Sequence, residues 1–250
     1  MCVLALFSDP VPGVSLAVAA NRDEYLHRLS VPPTELRPGV IGGKDLEAGG
    51  TWLGLNRHGL LVAVTNRRIP PKIRSGPSRG VLCLDALAFE TPDQVERFVG
   101  ERTASLRYAG FNLVAMRGGR GVCLQFDGRV RPVRIDGGIH VVSSHRDMDD
   151  PRMPERKTML ARVPGWDGMD MMLDRLRSVL ADHEETDGWA VCKHGSGYGT
   201  VSSSLLVIPS TGLQGVRYWY SAGPSCRNRY EDLAGWAGKI LAPQPAPTPM

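Results

Sequence analysis

The feature that most constrains the fold of this chain is its alternation between groups of short apolar runs and helical segments. Runs at 2–7 and 14–20, and then at 51–55 and 60–65, are separated by Gly, Pro and Asn residues that form turns, as in antiparallel strand pairs. Because these runs are almost continuously apolar, we expect strands that are covered on both faces.

Two helical regions separate the groups of strands. The segment 81–90 has a helical pattern, and a second helix starts at 91–94, where Thr91 and Gln94 fit a capping box with Pro at the first helical position. A later apolar stripe at 169–180 predicts a helix that faces the core, in preference to a methionine ligand set. Between these regions, Gly-rich or Asp-Gly turns predict a meander of four strands, at 111–116, 122–126, 130–135 and 140–144.

The C-terminal part predicts a last strand pair at 200–208 and 216–221, followed by a closing helix at 229–241. The Pro-rich segment 242–250 is expected to be a disordered tail. The order of strands, helices, strands, helices and strands favours an α+β fold, a four-layer αββα sandwich of two antiparallel sheets between helices. We expect a single domain over residues 1–241.

The composition of the chain limits which partners and which cellular compartment are expected. Thirty Lys and Arg against 26 Asp and Glu leave a net charge of +4, which is too small for a protein whose main task is binding nucleic acid. The five cysteines form no C-x-x-C pair and no zinc-ligand spacing, and the histidines show no H-E-x-x-H motif, so no metal site is expected. Unpaired cysteines, no basic leader and no long apolar stretch predict a cytoplasmic protein without stable membrane insertion. The oligomeric state is not readable from the sequence.

Cys2 is the first candidate for chemistry. Removal of Met1 would leave a thiol and a free α-amine on one residue. An α-amine with a pKa of about 7.7–8.0 can accept the thiol proton, so one residue would supply both nucleophile and base. The alternative is that Cys2 is a small buried hydrophobe at the start of a strand.

Polar residues also end two of the apolar runs. In the tetrapeptide 21–24, Arg22 offers planar donors to a carboxylate or to the surroundings of the thiolate, and Asp23 could hold the α-amine in place by accepting hydrogen bonds from it. Asn66 follows the run 60–65, where its amide could donate to a developing oxyanion. The alternatives are a solvated turn with an internal ion pair for the tetrapeptide and a turn cap for Asn66.

The segment 67–79 is strongly basic and contains no acidic residue. If this segment overhangs the site, it would attract a ligand that carries a carboxylate or a phosphate, and the alternative is an exposed loop. No nucleic-acid recognition fold or aromatic stacking pattern accompanies these charges, so nucleic acid is not expected as a partner. The positive residues are Arg67, Arg68, Lys72, Arg74 and Arg79.

Several segments together resemble the NRDE family, which includes the transport and Golgi organisation protein 2 group. The block 43–54 is the most specific of them, and the tetrapeptide alone is weak. The resemblance implies an N-terminal-nucleophile hydrolase-like αββα fold. The matching segments are Met1-Cys2, Asn21-Arg22-Asp23-Glu24, 42–54, Thr65-Asn66-Arg67-Arg68, Ser78-Arg79-Gly80 and Tyr198-Gly199-Thr200.

The same fold contains amidases of the cholylglycine hydrolase type. By that likeness Cys2 would be the nucleophile, Arg22 and Asp23 would support it, and Asn66 would donate to the oxyanion. Where such amidases carry a second polar amide, this sequence has Ser144. The residues expected to contact a ligand are Asn21, Arg67, Arg68, Arg79 and Ser144.

Two functions therefore remain open at this point. The first is hydrolysis of a linear amide or acyl bond of a small-molecule substrate by Cys2. The second is non-enzymatic carriage of haem or another amphipathic anion in the same cleft, because the resemblance includes family members linked to haem trafficking. No cofactor is expected, and haem enters only as a candidate cargo.

Overall fold

The structure, a computed structural model, describes residues 2–67, 76–144, 146–163, 165–185 and 189–242. The strands are β1 (Val3–Ser8), β2 (Val14–Tyr25), β3 (Ser30–Arg37), β4 (Val40–Asp45), β5 (Leu53–Asn56), β6 (Leu61–Asn66), β7 (Phe111–Arg117), β8 (Arg120–Phe126), β9 (Val130–Asp136), β10 (Ile139–Ser143), β11 (Tyr198–Pro209), β12 (Arg217–Ser221) and β13 (Glu231–Asp232). The helices are α1 (Arg79–Ala86), α2 (Pro92–Ser105), α3 (Pro154–Arg162), α4 (Met169–Leu180) and α5 (Ala234–Leu241).

The strands form two antiparallel sheets. Sheet 1 has the order β10-β1-β2-β11-β12-β13, and sheet 2 has the order β3-β4-β5-β6-β7-β8-β9. The two sheets pack face to face, helices α3 and α4 cover the outer face of sheet 1, and helices α1 and α2 cover the outer face of sheet 2. This arrangement confirms the αββα sandwich.

Strand β1 shows why the apolar runs are continuous. Leu4 and Leu6 point into the core between the sheets, whereas Val3 and Ala5 point into the core beneath α3 and α4. Since successive side chains of a strand point to opposite faces, a strand in a middle layer buries side chains on both faces, which favours continuous apolar runs. The capping box at Thr91 and Gln94 is also present and starts α2.

Some predicted elements differ from those observed. Strand β2 does not end before the tetrapeptide 21–24 but continues to Tyr25, because β11 pairs with it as far as Tyr198. The predicted meander stops after β9, and β10 instead pairs with β1 of the other sheet. The closing helix begins at Ala234, later than expected, since β13 occupies residues before it.

Strands β3 and β4 and helix α3 lie in segments where the sequence predicted no element. Strand β3 is an edge strand that carries two consecutive prolines, a composition that the edge of a sheet tolerates and that hides a strand in the sequence. Strand β4 contains two glycines, and α3 has only a weak apolar stripe. The predicted tail lies outside the described residues apart from Ala242.

No helix among the described residues is long and apolar enough to cross a membrane. The five cysteines are free thiols.

Candidate active site

A cavity of about 390 Å³ opens beside Cys2. Its walls come from the start of the chain, the polar end of β2, the segment between β4 and β5, the end of β6 and the start of α1. Among the residues that line it are Cys2, Arg22, Trp52, Asn66 and Arg79. The structure therefore brings together residues that lie in five separate parts of the sequence.

Cys2 lies partly buried at the side of the cavity. Its main-chain nitrogen donates a hydrogen bond to Ser144 Oγ at 2.7 Å, and its Sγ lies 3.9 Å from the carbonyl oxygen of Asp23. Burial raises the pKa of the Cys2 thiol. A thiol in this setting is protonated near neutral pH, so it needs a nearby base before it can act as a nucleophile.

Arg22 is held rigidly between the two sheets. Its guanidinium carbon lies 4.2 Å from the centre of the Trp52 ring, and its Nη2 lies 3.7 Å from Asp45 Oδ2. Gly43 makes this stacking geometry feasible, because a Cβ there would lie 2.3 Å from the Trp52 ring. A fixed, 4% exposed cation therefore lies beside the cavity.

Asp23 points to the opposite face of sheet 1, towards α3. Its Oδ2 lies 2.9 Å from Lys193 Nζ, and its Oδ1 accepts a hydrogen bond from Thr200 Oγ1 at 2.7 Å. Lys193 also lies 3.8 Å from the buried carboxylate of Glu155. Burial raises the pKa of Asp23, and the Lys193 ammonium opposes that shift.

Asn21 is a structural tether in this fold. Its amide nitrogen donates to the carbonyl oxygens of Leu180 and Val191, both at 2.9 Å, and its Oδ1 accepts from Ser203 Oγ at 2.6 Å. The side chain is buried and joins β2 to the end of α4. All three contacts are with the protein itself, so ligand binding by this amide stays only a prediction.

The predicted basic segment divides into separate environments. Arg79 lines the cavity, donates to the carbonyl oxygen of Gly110 at 3.0 Å, and has no carboxylate within ion-pair distance among the described residues. Arg67 instead pairs with Asp127 and Asp147 and does not line the cavity. Arg68, Lys72 and Arg74 lie outside the described residues.

The other predicted residues lie close to Cys2 or at the rim. Asn66 is exposed at the last position of β6 and faces the cavity. Ser144 is buried directly after β10, which places its hydroxyl against the start of β1.

Sequence reasoning missed several residues of the site. Trp52 and Asp45 lie inside the block 43–54, which was the strongest part of the resemblance, but no chemistry pointed to them individually. Arg28 pairs with Asp45 at 2.8 Å across the cavity wall. Lys193 had no sequence signal, because it meets Asp23 across 170 residues of chain.

Several solved structures have the same class of fold as this chain. An N-acylethanolamine-hydrolyzing acid amidase ortholog of Caenorhabditis elegans has a TM-score of 0.52 and 11% identity, and covers 83% of this chain and 92% of that one. A penicillin V acylase from Agrobacterium tumefaciens has a TM-score of 0.53 and 13% identity, and the match covers 89% of this chain and 83% of the acylase chain. A conjugated bile acid hydrolase from Clostridium perfringens has a TM-score of 0.51 and 11% identity, with 93% and 92% covered. The fold is therefore that of the N-terminal-nucleophile hydrolases.

Sequence comparison identifies the family within that class. The pattern of the family described as Transport and Golgi organisation 2 matches residues 1–218, and the chain belongs to that family. It is 34% identical over 124 residues to the Transport and Golgi organization protein 2 homolog of Bos taurus, and 33% identical over 128 residues to that of Mus musculus. Each alignment covers 46% of this chain and 45% of the relative, so the chain spans less than half the length of these relatives.

Proposed function

We propose that this chain is a cysteine hydrolase that uses Cys2 as an N-terminal nucleophile to cleave a linear amide or related acyl bond. The observation that supports the proposal most is the position of Cys2. Its thiol borders a cavity of about 390 Å³, and its main-chain nitrogen is already hydrogen-bonded to Ser144 Oγ. The names of the similar solved structures describe an amidase, a hydrolase and an acylase, which favours the same reaction class.

The proposed reaction needs no histidine. Removal of Met1 converts the Cys2 nitrogen into an α-amine, which takes the thiol proton while Ser144 Oγ holds it in place. The thiolate attacks the substrate carbonyl carbon, and the Asn66 amide donates to the oxyanion. The α-ammonium then protonates the leaving amine, and the C–N bond breaks to leave a thioester. Water, deprotonated by the α-amine, hydrolyses the thioester and restores the thiol.

The charges around the cavity favour a substrate with an anionic group. Arg79 is half-buried on the wall and forms no ion pair among the described residues, so it is available to pair with a carboxylate of the substrate. Glu24, which also lines the cavity, is the carboxylate whose charge acts on Arg79. Arg22 adds a second positive charge, although Asp45 offsets part of it. Asp23, held by Lys193 and Thr200, fixes the strand segment that borders Cys2.

Non-enzymatic carriage of an amphipathic anion is the second candidate function. The observation that favours it is that Arg79 and an aromatic side chain, Trp52, line the same cavity. Haem combines a flat apolar body with carboxylates and would use both features. In this case the thiol of Cys2 would have no catalytic role.

One set of variants separates the two functions. Intact mass measures Met1 removal, and turnover is followed with N-acyl amides that carry or lack a terminal carboxylate. For a hydrolase, Cys2→Ala abolishes turnover with folding intact, Cys83→Ala retains turnover, and Asn66→Ala lowers kcat by about 10²-fold. Retention of Met1, or full turnover in Cys2→Ala, would contradict the hydrolase.

The carrier predicts a different response to the same variants. Haemin binding and transfer to an acceptor protein would then be unchanged in Cys2→Ala and weakened at least about tenfold in Arg79→Gln, because one charge-assisted contact is lost. If the Arg79→Gln variant binds haemin as tightly as the unmodified chain does, Arg79 does not bind a haem carboxylate, and the carrier function is contradicted.

A further inference from the structure

A second group of reactive side chains lies outside the cavity. Cys192, Cys226, His194 and His183 come together where the segment after α4, the segment before β11 and the loop after β12 meet. We call these four residues the 192–226 cluster. Neither the proposed hydrolysis nor the proposed carriage uses any of them.

For every pair in the cluster except Cys192 with His183, the ligand atoms lie about as close as the ligands of one small metal ion. Cys192 Sγ lies 3.6 Å from Cys226 Sγ, and His194 Nε2 lies 3.2 Å from Cys226 Sγ and 3.8 Å from Cys192 Sγ. The ligand atoms of His183, His194 and Cys226 all lie within 4.8 Å of one another. A tetrahedral zinc ion with its usual bond lengths separates two sulfurs by about 3.8 Å and a sulfur from a nitrogen by about 3.6 Å.

The orientation of the donors also fits a metal. Nδ1 of His183 lies 3.2 Å from the carbonyl oxygen of Ala181. This contact fixes the ring and leaves Nε2 as the nitrogen that can bind the ion. Metal-bound histidines usually have such a contact on their second nitrogen. Cys192 and Cys226 are free thiols, so both sulfurs remain able to coordinate an ion.

The type of donor selects the metal. Two thiols and two imidazoles are the ligand set of closed, four-coordinate zinc sites, whereas hard cations such as Mg²⁺ and Ca²⁺ prefer oxygen. Two thiolates would neutralise the charge of Zn²⁺. Arg227, which adjoins Cys226, is the nearby cation that opposes metal binding, and its charge acts on His194.

We propose that the 192–226 cluster binds one Zn²⁺ ion in a closed structural site. The thiols lose their protons to solvent when the ion binds, and no electron transfer is involved. This proposal departs from the expectation of no metal site. That expectation rested on the spacing of cysteines and histidines along the sequence. In the fold, three of the ligands precede β11 and the fourth, Cys226, follows β12.

The site would also fix a segment that reaches the candidate active site. Lys193 lies between the ligands Cys192 and His194, and its ammonium holds Asp23 at 2.9 Å. Its main-chain nitrogen donates to Thr200 Oγ1, which in turn donates to Asp23 Oδ1. An ion bound by the two neighbours of Lys193 would therefore restrict the movement of this contact.

Metal content and a cobalt probe test the proposal on the full chain. Zinc per chain is measured by elemental analysis after purification under reducing conditions, and the apo protein is then titrated with Co²⁺. We expect one zinc per chain, and with cobalt the intense thiolate-to-metal absorption and d–d bands of a tetrahedral site. Cys226→Ser and His194→Ala should each weaken zinc binding at least about tenfold, whereas Cys83→Ala should bind as the unmodified chain does.

Two results would overturn the proposal. One is that the fully reduced, folded chain binds neither zinc nor cobalt, which is the result expected if Cys192 and Cys226 serve only as a redox pair. The other is zinc binding that is unchanged in both Cys226→Ser and His194→Ala. Because His194 is exposed and Cys226 only partly buried, these variants should fold, and circular dichroism checks this independently of metal content.

Discussion

Two asparagines that both follow apolar strand residues have opposite environments. Asn21 is buried and uses its whole amide to join β2 to Leu180, Val191 and Ser203. Asn66 is exposed at the rim of the cavity. At the scale of single residues, the same side chain therefore supports the fold at one position and is available for a ligand at the other.

The difference predicts opposite effects on stability. Asn21→Ala leaves two buried carbonyl oxygens and one hydroxyl without partners, so we expect the free energy of unfolding to fall by about 2–4 kcal/mol. Asn66→Ala should change it by no more than about 0.5 kcal/mol. Urea unfolding followed by circular dichroism measures both. An Asn21→Ala variant as stable as the unmodified chain would show that the amide does not act as a tether.

At the scale of elements, the start of α1 is positioned by close backbone contact. Gly50 lies so near the first turn of this helix that a Cβ would be 2.1 Å from the carbonyl carbon of Gly80. Thr51 N also donates to Gly80 O at 3.0 Å. Arg79 begins α1, so this contact sets where its guanidinium enters the cavity.

Gly50→Ala should therefore disturb the cavity as well as the fold. We expect a loss of about 1–3 kcal/mol in the free energy of unfolding, because backbone atoms cannot move aside as a flexible side chain can. Gly100→Ala is the matched control, since its Cβ meets nothing within 4 Å inside α2, and it should stabilise the chain by up to about 1 kcal/mol. Thermal unfolding of the two variants decides between these effects. Equal midpoints would contradict the close contact at Gly50.

At the scale of the whole molecule, one core joins the two sheets. Leu4 and Leu6 of sheet 1 pack in the same apolar cluster as Leu53 and Leu55 of sheet 2. The outer helices pack against separate clusters, one on each sheet. Neither sheet can therefore bury its inner face without the other, and the single domain expected from the sequence is tested by weakening this core.

Weakening this shared core should open both sheets together. Leu55→Ala removes a fully buried side chain, and we expect it to lower the free energy of unfolding by about 2–5 kcal/mol. Hydrogen exchange measured by mass spectrometry should then quicken in β1 and β2 as well as in β5 and β6. Leu46→Ala, at a side chain 50% exposed, is the control and should leave exchange unchanged. Faster exchange confined to sheet 2 would contradict a single cooperative unit.

Much of the fold could be predicted from the sequence because local residue patterns indicate where the buried strands and the helices lie. Continuous apolar runs separated by turn formers identified the buried strands, and the capping box at Thr91 identified the start of α2. Strand β3 was missed because its prolines, which the edge of a sheet tolerates, mask its pattern, and β4 was missed because two of its six residues are glycines. The order of strands within the sheets depends on pairing between distant segments, which no local pattern records.

The sequence by itself determined the layered α+β class and the group of residues around Cys2 through their family resemblance. Only the tertiary structure decided which of them share one cavity, since Arg79 lines it while Arg67 pairs elsewhere. It also decided that Lys193 holds Asp23, and that Cys192 lies beside Cys226. The physical reason is that periodicity and spacing encode which face of an element is buried, whereas a site depends on contacts between side chains far apart in the chain.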